Sequence, residues 1–176
     1  MDLQLVRPSF YHRHSFLALA QEFVDEGVRR YQAPLYDFEQ YMFYLDEYAT
    51  GSYLPQNMVR ELSYWAIVDG QVVGTIRLRP ELNSILERIG GHIGYDVRPS
   101  QRQRGYASEM LRQMLDIARS YKLKRVLLTC DATNTASIKV IRNNGGIFFD
   151  QQEYLQRKIP VQRYWIELEA QKNQQT

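Results

Sequence analysis

Apolar residues change spacing several times along this chain, and each change predicts an element. Residues 3–6 alternate apolar and polar as a short strand, which Pro8 stops. Phe16, Leu19, Ala20, Phe23, Val24 and Val28 then recur every three or four positions and predict a helix over residues 10–31. A second helix is expected over 37–48, entered after Pro34 and left at Gly51. Two β-rich runs, 62–68 and 72–78, meet at Asp69-Gly70, a dipeptide that supplies the positive φ angles of a tight hairpin turn. Residues 82–88 read as a turn of helix or a loop, after which Gly90-Gly91 opens a strand carrying Ile93, Tyr95 and Val97.

The clearest helix follows. Ala107, Met110, Leu111, Met114, Leu115 and Ala118 form one apolar stripe, while Glu109, Arg112, Gln113, Asp116 and Arg119 fill the other face, so this helix should lie on a sheet. Residues 125–129, RVLLT, read as a strand buried on both faces, with Cys130 at its end. Asn134 is placed to cap a short helix through Ser137, Val140 and Ile141 that ends at Gly145-Gly146. Runs 147–149 and 164–168 supply closing strands. Together these elements predict one α/β domain over residues 1–169 and a frayed tail over 170–176. Its central sheet should be mixed but mostly antiparallel, because the hairpin must be antiparallel whereas strands joined through a helix can be parallel.

Composition narrows the function classes. At 44% hydrophobic and 24% charged, the chain has ordinary globular values, and no run approaches the roughly 18 apolar residues of a membrane-spanning helix. The start, MDLQLVRPSF, lacks the basic and apolar regions of a signal peptide, so a cytoplasmic address is expected. One cysteine and three scattered histidines give no metal-ligand spacing, and no metal is expected.

Charge is unevenly spread. Residues 31–59 contain Asp37, Glu39, Asp46 and Glu47 with no Lys or Arg, whereas residues 98–125 contain eight bases against two acids. The acidic segment also holds Tyr31, Tyr36, Tyr41, Tyr44, Tyr48 and Tyr53, which read either as amphipathic packing or as the wall of a site for a cationic amine. The basic stretch would suit an anion; RNA is not the expected partner, because bases such as Arg112 and Arg119 lie on an amphipathic helix where charge ordinarily solvates a face.

Between the strand of Tyr95 and the amphipathic helix lies Arg98-Pro99 and then the loop 100–105. Unpaired N–H groups at a helix N-terminus, reinforced by the macrodipole and by arginines, suit a phosphate. Neither a GxxxxGK[ST] nor a GxGxxG pattern is present, so the common nucleotide-binding loops are excluded. What remains is Arg102-Gln103-Arg104-Gly105-Tyr106-Ala107. Ser100 with Gln103 could alternatively form a capping box that uses the same amides internally, but that reading explains neither the arginines nor Gly105.

Arg102, Gly105 and Ala107 resemble motif A of the GCN5-related N-acetyltransferase (GNAT) superfamily, and Val97-Arg98-Pro99 looks like the strand exit before it. Element order along nearly the whole chain is similar to that family, and Asn134, Ser137 and Gly145 resemble its second cofactor-contacting helix. The resemblance implies a GNAT fold with splayed parallel strands at the cofactor site. It further implies that acetyl-CoA is a co-substrate, with pyrophosphate on the amides of Arg102, Gln103, Arg104, Gly105, Tyr106 and Ala107. The pantetheine arm would run along Tyr95, Asp96 and Val97, with Asn134 and Ser137 touching the cofactor from the other side. The implied activity is N-acetylation of a primary amine on a small molecule, peptide or protein, by direct attack in a ternary complex; a homodimer is common in the family.

Transfer requires deprotonation of the amine, donors for the oxyanion and a proton for the thiolate. The family's usual tyrosine slot is Ile141 here, and its frequent glutamate falls near Gly91. His92 is therefore a candidate base. Tyr154, Tyr95 and Tyr106 are candidate acids. The missing pair also motivates an alternative from another class, a non-catalytic acyl-CoA-binding regulatory module.

Overall fold

The computed structural model describes residues 2–52, 54–155 and 157–168; the expected tail and the ring of Tyr53 lie outside them. Among the described residues seven strands and six α-helices follow in chain order: β1 (Gln4–Val6), α1 (Arg13–Asp25), α2 (Gln32–Tyr36), α3 (Phe38–Thr50), β2 (Leu62–Val68), β3 (Gln71–Leu78), α4 (Ser84–Arg88), β4 (Ile93–Val97), α5 (Tyr106–Ser120), β5 (Arg125–Asp131), α6 (Thr135–Asn143), β6 (Ile147–Gln152) and β7 (Val161–Glu167).

The expected first helix is shorter than its apolar spacing suggests. Gly27 adopts φ 82°, and the bonds Gly27 N–H to Val24 O and Val28 N–H to Phe23 O close a Schellman turn that ends α1. Pro34 sits within the first turns of α2, where its missing N–H is tolerated. Asp37 caps α3 by accepting the Gln40 N–H at 2.8 Å, and Gly51 ends that helix in the left-handed region. Asp69 and Gly70 both take positive φ, as the hairpin requires.

The α/β domain is of the expected kind, and its sheet is divided in two. Strands β1-β2-β3-β4 form one sheet and β5-β7-β6 the other, and every ladder is antiparallel. Strands β4 and β5, linked through α5, share no ladder; a single backbone bond, His92 N–H to Leu127 O at 2.8 Å, joins them at the start of β4. Beyond it lies a gap.

Helix α5 covers one face of the first sheet. Met110, Leu111 and Met114 pack there with Ile76, Leu78, Ile93 and Val126 in a core that continues into the second sheet. On the other face α1 and α3 bury Phe16, Phe23, Phe38 and Trp65, with the Phe16 and Trp65 rings stacked at 4.2 Å. The tyrosine-rich segment therefore divides as amphipathic packing would have it: Tyr31 is buried, whereas Tyr36 and Tyr44 are exposed. Among the described residues no helix is long and apolar enough to cross a membrane.

Candidate active site

At the head of α5 the chain turns sharply. Arg102 is extended, Gln103 takes φ 63° and Gly105 φ 80° with ψ −1°, and α5 begins at Tyr106 without a side-chain cap. The amide of Arg102 donates to Pro99 O at a long 3.4 Å, and the bonds from Ser108 and Glu109 to Gly105 O start the helix. Between them, the N–H groups of Gln103, Arg104, Gly105, Tyr106 and Ala107 have no acceptor among the described residues. Consecutive unpaired amides at the positive end of a 15-residue helix form a concave anion site.

The capping box is not formed. Ser100 gives its N–H and its hydroxyl to the Glu22 carboxylate on α1, at 3.0 Å each. The arginines of the motif are placed differently from expectation. Arg102 turns away, making a bidentate pair with Glu26 at 2.8 and 2.6 Å above the Phe23 ring. Arg104 is exposed and has no ion pair among the described residues. Of the other bases in this stretch, Arg98 pairs with Glu22, Arg112 with Glu109 and Arg119 with Asp116, so much of the basic run is neutralised locally.

The β4 edge beside the gap is also unoccupied. Arg79 N–H bonds His92 O and Arg98 N–H bonds Val73 O, so the inward pairs on β4 fall at residues 92 and 98 and, by alternation, at 94 and 96. The N–H and C=O groups of Ile93, Tyr95 and Val97 consequently face the gap, where an extended amide chain could pair with them.

A cleft of about 300 Å³ occupies the gap, lined by Tyr95, Cys130, Asn134 and Ser137 on one side and by Arg77 and Arg79 on the other. The Tyr95 and Ser137 hydroxyls are 2.8 Å apart. Burial pushes the Tyr95 phenol up to about 12, with Cys130 and Asp96 adding to burial and the Ser137 hydrogen bond opposing it. It stays protonated at any working pH and can donate. Asn134 uses its Oδ1 to cap α6, accepting the Ser137 N–H at 3.0 Å. Burial also raises the Cys130 thiol to about 11, which makes it a neutral packing group rather than a nucleophile.

His92 is held in a different role from the expected base. It is 9% exposed, and its Nδ1 accepts the Leu127 N–H at 2.9 Å, so the ring substitutes for a missing rung between β4 and β5. That bond occupies the one lone pair of the neutral imidazole. Burial, with Arg125 and Arg79 adding to it, lowers the imidazole to about 4, and the Leu127 bond, which needs the unprotonated Nδ1, favours the same neutral ring. Tyr154 donates to Arg88 O at 3.0 Å with the Arg88 guanidinium over its ring, and it does not line the cleft. Tyr106 is buried in the core. Asp96, expected along the pantetheine arm, turns its carboxylate to the sheet face opposite Tyr95, where it bonds Arg30 and Tyr31.

The two departures from the family pattern have physical causes here. A Cβ on Gly91, which takes φ 63°, would lie 2.3 Å from Leu127 O, so no carboxylate side chain can occupy that slot. Ile141 is 1% exposed in the core beneath the cleft. Arg77 and Arg79 were missed in the sequence; the available signal was a pair of arginines two apart in an otherwise apolar strand, which puts both on one face. Among the described residues no group of His, Cys, Asp and Glu could hold a metal ion.

A family model described as an acetyltransferase (GNAT) domain matches residues 3–147. Among solved structures, this chain resembles RimL, a ribosomal L7/L12 alpha-N-protein acetyltransferase in complex with coenzyme A, at TM-score 0.69 and 17% identity over 94% of this chain and 93% of that one. It also resembles the microcin C7 self-immunity acetyltransferase MccE in complex with acetyl-CoA and AMP, at 0.67 and 13% over 95% and 93%. A spermidine N-acetyltransferase SpeG chimera from Vibrio cholerae and hSSAT follows at 0.59 and 14%, over 96% of each chain. No curated protein matches the chain by sequence.

Proposed function

Because this chain belongs to the GNAT acetyltransferase family, we propose that it transfers an acetyl group from acetyl-CoA to a primary amine by direct attack within a ternary complex. The observation that carries the reading is the run of unpaired amides from Gln103, Arg104, Gly105, Tyr106 and Ala107 at the head of α5. In the proposed complex these amides hold the cofactor pyrophosphate, with Arg104 the nearby cation that has no ion pair among the described residues. The pantetheine amides pair with the gap-facing edge of β4 at Tyr95 and Val97, and the Nδ2 of Asn134 and the hydroxyl of Ser137 complete the cleft wall.

For the chemistry, the acceptor amine enters as the neutral base and attacks the thioester carbon. Carbon–sulfur cleavage then releases CoA thiolate, and the ammonium formed by attack loses its proton to solvent. Tyr95 is the phenol in the cleft and the best-supported proton donor to the thiolate; its high pKa keeps the proton available. His92 and Tyr154 take no step in this scheme, because Nδ1 of one and the hydroxyl of the other are occupied by backbone groups. A cytoplasmic address remains part of the proposal.

Calorimetric titration with acetyl-CoA, followed by CoA release on a panel of amines, tests it. Micromolar binding with turnover is expected. No binding would overturn the reading. The absent glutamate and tyrosine favour a second reading, an acyl-CoA-binding module, and tight binding with no turnover on any acceptor would select it.

A further inference from the structure

Arg77 on β3 and Arg79 just past its end lie on the face of the first sheet opposite Tyr95, since Ile76 pairs with Tyr95 and Arg77 with Gly94. If the cofactor lies on the Tyr95 and Ser137 side of the cleft, as proposed above, the arginine side is where the second substrate enters. The two arginines differ in how their donors are used. Arg79 is fixed, with Nη2 2.7 Å from Glu61 and Nη1 donating to Gly91 O at 3.2 Å. Arg77 makes one long bond, Nη1 to Asp96 at 3.4 Å, and its Nε is 3.8 Å from Glu61, beyond hydrogen-bond reach.

A guanidinium offers five donors in a fixed fork, so the Nε and Nη2 edge of Arg77 has no acceptor among the described residues. That edge lies flat over Gly94. A Cβ there would stand 3.1 Å from Nε and 3.2 Å from Nη2, and the missing side chain is what lets the fork reach the cleft that Arg77 lines.

Surrounding charge does not supply the missing acceptor. Asp96 is held by Arg30 and by the Tyr31 hydroxyl, and Glu61 by Arg79. Arg30, Arg77 and Arg79 against Asp96 and Glu61 leave this cluster one positive charge in excess. Asp131, a carboxylate that does line the cleft, pairs with Arg157. The acidic segment that pointed toward a cationic acceptor is elsewhere: Asp37 caps α3, Glu39 pairs with Arg13, and Asp46 lines a separate groove beside Phe10 and Phe43.

We infer that the acceptor amine carries its own anionic group, a carboxylate or a phosphate, which binds the Nε and Nη2 edge of Arg77 bidentately and so orients the amine toward the thioester. A planar fork matched to a carboxylate or phosphate gives such recognition its geometry. Polycationic amines are disfavoured by the same excess charge. This inference rests on the acetyltransferase reading, and its test separates the two.

Acetyl-CoA binding to the wild-type chain is measured first by calorimetry, and its failure strikes the function and not the acceptor class. Initial rates are then taken with paired acceptors: amino acids against their decarboxylated amines, aminoalkyl phosphates against the matching amino alcohols, and spermidine. Expected is a kcat/KM for at least one anionic member about tenfold or more above its neutral partner, since a site built to bond a group rejects its absence. The carboxylate and phosphate pairs identify which anion is used. In Arg77→Gln that preference should collapse by about tenfold or more, and Arg77→Lys, which keeps the charge without the fork, should recover only part of it. Melting temperatures of both variants separate misfolding from altered preference. Preference for spermidine or for neutral amines in the wild type would overturn the inference, as would an unchanged preference in folded Arg77→Gln. If no amine turns over, the same pairs are titrated calorimetrically into the CoA-bound protein, where failure of every anionic amine to bind also overturns it.

Discussion

The two ends of β4 hold their polar groups in opposite conditions. At the entrance, the N–H and C=O of His92 and its Nδ1 are all bonded to neighbouring chain. At the exit, the amides of residues 103–107 have no acceptor among the described residues, although the loop is anchored through Glu22, Glu26 and the α5 stripe. Residue type alone ranks these regions wrongly, since histidine is the more familiar catalytic group. Unoccupied hydrogen-bonding capacity ranks them the other way: the entrance is a clasp between two sheets, and the exit is a site.

The contrast is broken most violently at Gly91. Replacement by Glu, the residue type common in the family at that slot, should cost about 4 kcal/mol or more, because backbone at 2.3 Å cannot yield without opening the clasp. Denaturant unfolding checks this; a folded, active Gly91→Glu protein would contradict it. At the other end, Gly105→Val puts a β-branched residue at φ 80° and turns the amides from their common focus. Acetyl-CoA affinity should fall about 100-fold, equivalent to roughly 3 kcal/mol, with a smaller loss of stability.

His92 sharpens the contrast through pH. Its folded-state pKa, about 4, lies below the ordinary value of 6.5, so the unfolded chain binds the extra proton between those values. Stability from this group is therefore full above about 6.5 and is lost as pH falls toward 4, by about 3 kcal/mol. In His92→Gln that acid-side slope should flatten, while kcat at pH 8 stays within about twofold of wild type, the range in which no reaction step has been removed. Tyr95→Phe should do the reverse, leaving stability nearly unchanged and lowering kcat about 100-fold, the lower range for loss of a positioned acid. Tyr154→Phe should change neither.

Much of the fold was legible because its signals are local. The α5 stripe, the Asp69-Gly70 hairpin and the Asn134 cap are each set by residues within a few positions of one another, and all appear where the sequence puts them. Gly27 was an overlooked local signal: a glycine followed by an apolar residue ends α1 early. The loop was legible as an anion site for the same reason. What could not be read were the partners of its charges. Arg102 meets Glu26 across 76 residues, and Arg77 meets Asp96 across a strand pair. Nor does spacing reveal that β4 and β5 separate after one bond, which both creates the cleft and turns His92 into a clasp.

The most direct measurement follows backbone amide shifts of the isotopically labelled protein during titration with acetyl-CoA. Expected are the largest saturable shifts at Gln103, Arg104, Gly105, Tyr106 and Ala107, smaller ones at Tyr95 and Val97, and nearly none at Gly91 and Leu127. Binding that leaves the 103–107 amides unmoved, or that shifts Gly91 and Leu127 most, would contradict the assignment of site and clasp.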